Sequence, residues 1–579
     1  MDYGEESGAI VTPGRLAKYF GYDSDLMLDL SRTCFTLAEW TAIIDKELQA
    51  KRPILYSGRT TNGGHQFVCD GSDGNGLYHI NWGWGGYQDG YFDITILNPG
   101  QGGIGAGNVT DGYNRNCDMI IGIQPDNGKV DEPLVDVPAI RIEHFSNNNL
   151  TTGIELTNAT RTNINENFTI TINEWWANPY PTKINCTVGY GISNGKGGYE
   201  LISETKNIEI DGIKDNGQYS LRYSTLKINN RFSPNGTYTI YAIYSTDNGK
   251  TWKKCAYYYM QPYVVKSTAT TLSLVKTQLT AEITTDETHY NGVEGTFKLS
   301  ITNNGDDEFI GLINAYTSST ATCPDDAIAQ PYMTIPAHST VTREIGITPT
   351  TVGDMYVWIE DGESGEMLLN AKKFNVEQTT EPSYTIVSVT TNATPGVYET
   401  EKAYINTDKV KVPRVDDEKA EFTFGIRNNG GTGVLKYIFW VWNLENDSYK
   451  LVNTVYKKKI PGNGEITYLP ISFTPEFAGG NTIYPLIEQI DSNGKNDAIP
   501  TSLPNYFIPI VGNENYGYKF NGSNPVVYIA GKPNAISGVT DSASSYVLGG
   551  TSEITILTEK AERLPIFRID GSKVCDVIT

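Results

Sequence analysis

The chain has 579 residues, of which 45 are basic and 67 acidic, so its formal net charge at pH 7 is −22. This balance excludes electrostatic attraction to nucleic acid or to an anionic membrane surface. No apolar stretch reaches the roughly 18 residues that predict a membrane-spanning helix. At about 150 residues per domain, the length predicts roughly four domains. A charged fraction of 19% is typical of secreted β-rich modules rather than of helical ones.

Two short helices are predicted near the N-terminus from their capping residues. In the first, Thr12 is a candidate N-cap, Pro13 fits the first turn, and Gly21 ends the helix. The second opens on Thr36 with Glu39 three residues later, which is a capping box. Apolar residues then fall on one face of this second helix, so it should pack against a sheet.

Strands and hairpin turns follow the helices. Residues 52–58 are predicted to form the first strand, and residues 65–71 alternate as the next one. Asp-Gly and Asn-Gly pairs at residues 73–76 are hairpin turn signals. Residues 77–82 read as the returning strand, and residues 91–97 as a third strand after the turns. The predicted helices therefore precede a run of strands.

No metal site or cofactor is expected. Seven cysteines are scattered over several predicted domains and show no paired spacing, so neither a disulfide framework nor a zinc site is predicted. The acidic loop at residues 70–76 departs from the spacing of a calcium loop, and no bidentate glutamate follows it. A hairpin turn is the better interpretation of that loop.

Glycines and tryptophans surround the strand at residues 65–71. Gly63 and Gly64 leave the backbone before His65 bare, so another chain could approach it closely. The segment at residues 81–86, Asn-Trp-Gly-Trp-Gly-Gly, would carry aromatic walls over a cleft. These motifs resemble the histidine half of a streptopain-type cysteine peptidase, a branch of the papain-like fold. Further motifs in the same order extend the resemblance over about residues 1–126.

The resemblance implies that His65 is the general base that activates a cysteine thiolate. A thiolate needs an imidazole within hydrogen-bond reach, and the imidazole needs a third group to orient it. Either Asn81 or the backbone around Trp82 could supply that third group. Both therefore stand beside His65 as candidate catalytic residues.

Three further residues are expected to contact the substrate. Gly64 and Trp84 should line the groove beside the histidine. The resemblance also implies that Ala9, in the segment at residues 7–9, lies near the cleft. An ordinary glycine-containing loop is the alternative interpretation of that segment.

The nucleophile is expected outside this sequence. In the family it lies on a helix upstream of a segment that here starts at Met1, so an N-terminally truncated chain that is inactive alone is expected. Cys34 has no family motif around it, and Cys69 lies about 13 Å from His65 along a strand that rises about 3.3 Å per residue. Both cysteines are expected to be small buried hydrophobes.

After a proline-containing linker at residues 126–138, the chain reads as strands and turns. Residues 297–305 are echoed 125 residues later at 422–430, which predicts tandem sandwich modules. Residues 553–574 resemble the start of the C-terminal sorting module of secreted Bacteroidetes proteins. The expected fold is multidomain, an α+β papain-like partial catalytic domain followed by all-β immunoglobulin-like sandwiches. The expected boundaries are 1–126 for the partial peptidase domain, 139–268 for a β-sandwich, 270–378 and 383–512 for two immunoglobulin-like sandwiches, and 546–579 for a truncated sorting segment.

Two functions remain open from the sequence. The first is a secreted or outer-surface cysteine endopeptidase that acts on proteins or peptides, with its signal peptide lost. The alternative is an inactive surface adhesin whose sandwiches bind host glycans or proteins. The pair at residues 175–176 is a candidate sugar-stacking site, although one of two adjacent strand residues usually points into the core. A single Asp-box at residues 245–252 is expected to be a structural turn.

Overall fold

A computed structural model divides the chain into two compact units, Met1–Gln378 and Thr379–Thr579. Most of the residues that the structure describes lie in β-strands, and the two α-helices among them lie within the first 50 residues. The structure describes residues 11–86, 88–99, 112–129, 133–134, 136–145, 150–213, 219–391, 394–398, 410–415, 420–443, 448–473, 482–491 and 493–501, followed by the short strands beyond residue 507 given below.

Both predicted helices are present with their predicted caps. Helix α1 spans Pro13–Phe20, begins at Thr12 and ends at Gly21, whose φ of 70° is left-handed. Helix α2 spans Leu37–Gln49, and its capping box joins Thr36 to Glu39 in both directions.

Six antiparallel strands form one sheet beside helix α2, in the order β1-β6-β2-β3-β4-β5. Trp40 and Ile44 of α2 are buried against the sheet, and Trp40 Nε1 donates to the Tyr56 hydroxyl at 3.0 Å. Tyr56 in turn stacks on Phe67, with ring centroids 5.4 Å apart. The strands are β1 Leu28–Ser31, β2 Ile54–Arg59, β3 Gly64–Ser72, β4 Leu77–Asn81, β5 Gly90–Asp93 and β6 Arg115–Ile121.

Two strand predictions in this sheet were wrong. The strand predicted at residues 52–58 is the second rather than the first, because β1 precedes it and pairs with the distant β6. The strand predicted at residues 91–97 ends at Asp93, whose Oδ1 accepts from the Thr95 amide at 2.8 Å. Such an Asx turn gives the backbone an alternative to the sheet ladder.

The next module of the first unit, which we call the second module, packs two sheets over one apolar core. Of the pair Trp175 and Trp176, Trp176 is buried in this core, as expected for neighbours on a strand. Its strands are β7 Arg141–Glu143, β8 Gly153–Asn158, β9 Phe168–Asn178, β10 Ile184–Ser193, β11 Tyr199–Leu201, β12 Lys206–Ile210, β13 Ser220–Asn230, β14 Thr237–Ser245, β15 Lys253–Lys254, β16 Ala256–Tyr258, β17 Tyr263–Ser267 and β18 Leu272–Val275.

The last module of the first unit also has two sheets, ordered β19-β21-β24 and β20-β26-β25-β22-β23, over a second apolar core. Its strands are β19 Leu279–Thr284, β20 His289–Tyr290, β21 Gly295–Asn303, β22 Phe309–Ser318, β23 Tyr332–Ile335, β24 Thr340–Ile347, β25 Gly353–Asp361 and β26 Glu366–Glu377. We refer to it as the third module.

The second unit is all β in the part that the structure describes. Two of its sheets, β27-β30-β33 and β32-β31-β34-β35, share one apolar core. Its strands are β27 Tyr384–Thr391, β28 Thr394–Tyr398, β29 Val410–Val415, β30 Ala420–Asn428, β31 Gly433–Asn443, β32 Ser448–Ile460, β33 Ile466–Phe473, β34 Thr482–Ile490, β35 Asn496–Ala498, β36 Ile508–Pro509, β37 Tyr528–Ile529, β38 Ser545–Gly549, β39 Ile554–Thr558, β40 Arg563–Phe567 and β41 Lys573–Ile578.

A buried asparagine repeats in all three sandwich modules at intervals of 125 residues. Asn178, Asn303 and Asn428 each end a strand, and each donates from Nδ2 to the carbonyl of an isoleucine 32 residues later. Each Oδ1 also accepts from the amide two residues on. The module at residues 139–275, for which the sequence showed no echo, therefore shares this device with the other two. The three carbonyls belong to Ile210, Ile335 and Ile460.

Within the described parts of the chain, no helix is long and apolar enough to cross a membrane.

Candidate active site

His65 lies near the start of β3 and is half-buried. Its Nε2 lies 2.8 Å from the backbone carbonyl oxygen of Trp82. Because a carbonyl can only accept, Nε2 carries the proton in the neutral ring. The lone pair of Nδ1 is then available to take a proton, which is what a general base requires.

The loop after β4 holds the Trp82 carbonyl in place. The Trp82 amide donates to Asp89 Oδ1 at 2.9 Å, and the Gly83 amide donates to Asn81 Oδ1 at 2.9 Å. Gly83 has a φ of 77°, a left-handed conformation that glycine adopts without strain. Of the two alternatives for the group that orients His65, the Trp82 carbonyl is therefore the one within hydrogen-bond distance of the imidazole. The Asn81 side chain instead accepts from the backbone of the loop.

Four aromatic rings surround the imidazole, and we call Phe67, Trp82, Trp84 and Tyr113 the aromatic cluster. Trp84 stacks on His65 with centroids 5.0 Å apart and an interplanar angle of 23°. Trp82 is fully buried, so its indole is part of the core rather than a wall of a cleft as expected. The other centroids lie 5.5 Å (Tyr113), 6.0 Å (Phe67) and 6.3 Å (Trp82) from that of His65.

The surroundings of His65 act on its pKa in opposite directions. Burial lowers the pKa below its ordinary value, because removal from water penalises the charged ring. The hydrogen bond to the Trp82 carbonyl opposes this effect. The net result is a lowered pKa, so the imidazole is kept as a neutral base near neutral pH.

Of the three residues expected to contact the substrate, the structure describes Gly64 and Trp84 but not Ala9. Gly64 is exposed at the start of β3, beside His65. The atoms nearest to a Cβ placed at this position belong to Arg59 and to the Gly58 carbonyl, at 3.4 Å or more, so the position is not crowded. Trp84 is half-buried on the imidazole. Ala9 lies outside the described residues.

Three cysteines of this domain are described, and none of them bonds to His65. Burial raises the pKa of Cys34 and of Cys69 to about 12, which keeps both as thiols. The Cys117 thiol, whose pKa burial also raises to about 12, donates to the Tyr113 carbonyl at 3.3 Å. Cys69 is buried as expected, whereas Cys34 is half-buried, which corrects the expectation of a buried residue there. A raised pKa is the opposite of the thiolate character that a reactive cysteine has.

The second histidine of this sheet is paired elsewhere. His79 Nδ1 lies 2.6 Å from Asp70 Oδ1 on the neighbouring strand. In the turn that joins β3 to β4, Asp73 Oδ1 accepts from the amides of Asn75 and Leu77. The described residues contain no group of three or more histidine, cysteine or acidic side chains that could hold a metal ion.

Comparison with known proteins finds similarity for the N-terminal part of the chain. Residues 1–92, which include His65 and the Trp82 loop, match the Peptidase C10 family, a class of cysteine peptidase. Streptopain of Streptococcus pyogenes is 41% identical over 128 residues, which are 22% of this chain and 31% of that protein. The thiol protease/hemagglutinin PrtT of Porphyromonas gingivalis is 40% identical over 124 residues, which are 21% of this chain and 14% of that protein. The chain thus spans under a third of each relative.

Among solved structures, a red sea bream transglutaminase aligns with 37% of this chain and 29% of its own at 12% identity. The TM-score of 0.15 is too low to support an inference about fold or function.

Two contributors to the site were missed from the sequence. Asp89 anchors the Trp82 loop, and Tyr113, two residues before β6, completes the aromatic cluster. Asp89 lies in the family-like segment, so its position beside the loop was the available signal. Tyr113 lies 48 residues after His65 in the sequence, and no local pattern connects the two.

Proposed function

We propose that His65 is the general base of a cysteine endopeptidase of the C10 type, acting on proteins or peptides. The observation that carries the proposal is the bond from Nε2 to the Trp82 carbonyl, which leaves Nδ1 free to accept a proton. The similarity of residues 1–92 to the Peptidase C10 family supports it independently.

The chemistry follows from that tautomer. Nδ1 takes the proton of a cysteine thiol, and the thiolate attacks the peptide carbonyl to form an acyl-enzyme. The imidazolium then gives its proton to the leaving amine, and water hydrolyses the thioester. The Trp82 carbonyl stabilises the imidazolium through Nε2–H, and the Trp84 face adds a cation–π contribution. Gly64 would leave room for the substrate backbone.

We further propose that the nucleophile is not among the described cysteines, since a raised pKa keeps each of the three in this domain as a thiol. The chain by itself should therefore not form an acyl-enzyme. Secretion, and an immunoglobulin-like character of the sandwich modules, belong to the same proposal. The low charge content and the repeated asparagine support them.

The test is a chimera that places the cysteine-bearing part of the streptopain catalytic domain before this chain. We expect cleavage of a fluorogenic peptide that a thiol reagent blocks. His65→Ala should abolish the cleavage. His79→Ala is the matched control, because His79 lies on the adjoining strand but bonds only to Asp70 among the described contacts, so activity should persist.

Two results would contradict the proposal. Thiol-dependent cleavage by the unmodified chain would mean that one of its own cysteines is the nucleophile. Cleavage by the chimera that survives His65→Ala would mean that His65 is not the base.

A second candidate function is that of a surface adhesin that binds host glycans or proteins. One observation favours it: half-buried Trp175 stacks on Phe145 with an interplanar angle of 3°, a flat aromatic pair of the kind that sugars stack on. Glycan-array binding that Trp175→Ala abolishes would support it. Binding that persists in this variant would exclude the pair as the site.

A further inference from the structure

We propose that the third module holds the aromatic cluster around His65 in place, and that Glu308 is a positioning residue for His65. The importance of this role for catalysis rests on the proposed function. The effect of Glu308 on the surroundings of His65 does not require a nucleophile to be present. The argument begins at one turn of the third module, residues 303–308, which we call the acidic turn.

The acidic turn contacts both neighbouring modules. Glu308 accepts from the Leu37 amide with both carboxylate oxygens, at 3.0 and 2.9 Å, and pairs with Arg32 at 2.8 Å. Asp307 accepts from the Tyr241 hydroxyl at 2.6 Å and pairs with Lys254 at 2.5 Å. One turn therefore joins the peptidase-like sheet domain, the second module and the third module.

The Glu308 contact is buried and electrostatically suited to its place. The side chains of Arg32 and Glu308 are only 6% and 9% exposed. The carboxylate lies at the first residue of α2, where it satisfies a free amide and interacts favourably with the helix dipole. Arg32 also donates to the Phe35 carbonyl at 2.6 Å, which ties the pair to the segment leading into the helix. Removing one partner would leave a buried charge unpaired.

The acids are not required by the turn itself. A similar asparagine-centred turn occurs in the other two sandwich modules, 125 residues before and after, although Asn428 donates to a carbonyl one residue nearer than Asn178 and Asn303 do. Judged by these bonds, the positions equivalent to 307 and 308 are Thr182 and Lys183 in one module and Gly431 and Thr432 in the other, and none of these is acidic. The acidic pair therefore marks the module that docks on the peptidase-like domain.

A continuous packing path leads from Glu308 to His65. Helix α2 carries Trp40, whose indole donates to the Tyr56 hydroxyl. Tyr56 stacks on Phe67, and Phe67 contacts both the imidazole and Trp82. The start of α2 is thus connected through three buried rings to the site.

A second set of contacts reaches the opposite side of the site. Arg115 donates to the Gln330 carbonyl at 2.6 Å, and Asn114 donates to the Tyr332 carbonyl at 3.3 Å. Both residues directly follow Tyr113, whose ring contacts His65. Arg343 also donates to the Thr95 hydroxyl at 3.2 Å, while Asn114 bonds the Thr95 carbonyl. The third module therefore supports the aromatic cluster from two directions.

The test measures His65 itself in the full-length chain. The protein has five histidines, so a sample labelled at histidine Cε1 gives few resonances, and His65→Gln identifies the one needed. We expect Glu308→Ala to raise the pKa of His65 toward its ordinary value, because a loosened aromatic cluster admits water. Amide exchange at Leu37 should accelerate about tenfold or more. The chemical shift of the His79 resonance in folded protein reports whether the sheet itself is intact, since His79 lies on the same sheet and bonds Asp70.

Asp306→Asn is the matched control. Asp306 neighbours the two docking acids, but its carboxylate contacts His338 of its own module at 3.0 Å. This variant should leave the His65 titration unchanged. If Glu308→Ala does not fold, Glu308→Gln keeps the shape and removes the charge. Arg343→Met probes the second set of contacts separately.

The outcomes separate the two proposals. An unchanged His65 titration in folded Glu308 and Arg343 variants would overturn the positioning role, even if Leu37 exchange rises. A His65 shift in these variants, together with a chimera that does not cleave peptides, would retain the positioning role and overturn the peptidase proposal.

Discussion

The imidazole Nε2 of His65 donates to the backbone carbonyl of Trp82 across 2.8 Å. Peptide geometry, rather than a side chain, thus selects the tautomer of the candidate base. The loop that aims this carbonyl is held by Asp89 at one end and by Asn81 at the other. The effect of Asn81 on the loop can therefore be tested separately from the protonation of His65.

Asn81→Ala should leave the tautomer of His65 unchanged. The variant loses one exposed hydrogen bond to the Gly83 amide, which should cost about 1 kcal/mol of stability. The nitrogen chemical shifts of the neutral imidazole report which ring nitrogen carries the proton. A change to the Nδ1–H form would mean that Asn81, not the Trp82 carbonyl, orients the ring.

Trp84→Ala should raise the pKa of His65. Burial is the larger cause of the lowered pKa, and removing the stacked indole exposes the imidazole to water. A pH titration followed by histidine resonances measures the effect, and Trp84→Phe should give a smaller shift because a ring remains. A fall in the pKa would instead show that the cation–π contribution of the indole outweighs desolvation.

The stability of the second module should fall as the pH rises from about 4.5 to about 8. Burial raises the pKa of Glu174 from 4.5 to about 8, and its Oε1 accepts from the Tyr263 hydroxyl at 2.7 Å. The folded state binds the Glu174 proton more tightly than the unfolded state does. The protonated side chain therefore contributes fully to the free energy of unfolding below the pKa of the unfolded state, and this contribution is lost as the pH rises through the pKa of the folded state.

Glu174→Gln should remove this dependence. The loss in the parent protein should be on the order of 4 kcal/mol between these limits. Urea unfolding of the full chain at several pH values, followed by amide exchange at β9, measures it. Equal pH dependence in the parent and the variant would exclude Glu174 as the cause.

Asn428→Ala should destabilise the sandwich core of the second unit by about 3 kcal/mol. The buried side chain donates to the carbonyls of Gly431 and Ile460 and accepts from the amides of Ser383 and Gly430, and truncation leaves these groups unpaired.

Asn429→Ala is the control for that variant, because Asn429 is the adjacent and exposed asparagine. It should change stability by no more than about 0.5 kcal/mol. Hydrogen exchange at the amides of β30 compares the two. Similar effects for both would show that the buried asparagine is not a specific structural element.

The sequence by itself determined the features whose causes are local. Helix caps at Thr12 and Thr36 depend on contacts within three residues, and the hairpin after β3 depends on a turn of a few residues. The motif around His65 was recognisable because its residues are near in sequence. The buried, unreactive character expected for Cys69 also followed from its place on an alternating strand.

Only the tertiary structure decided the features that join distant segments. Strand β1 is four residues long and is defined by its pairing with β6, which starts more than 80 residues later. The choice between Asn81 and the Trp82 carbonyl depends on the direction of one peptide group, which no side-chain pattern encodes. Glu308 reaches Leu37 across 271 residues, and a single acidic residue in a turn carries no local sign of such a partner. Local propensity acts within a few residues, whereas burial and strand pairing between distant segments decide which strand partners and side-chain contacts form.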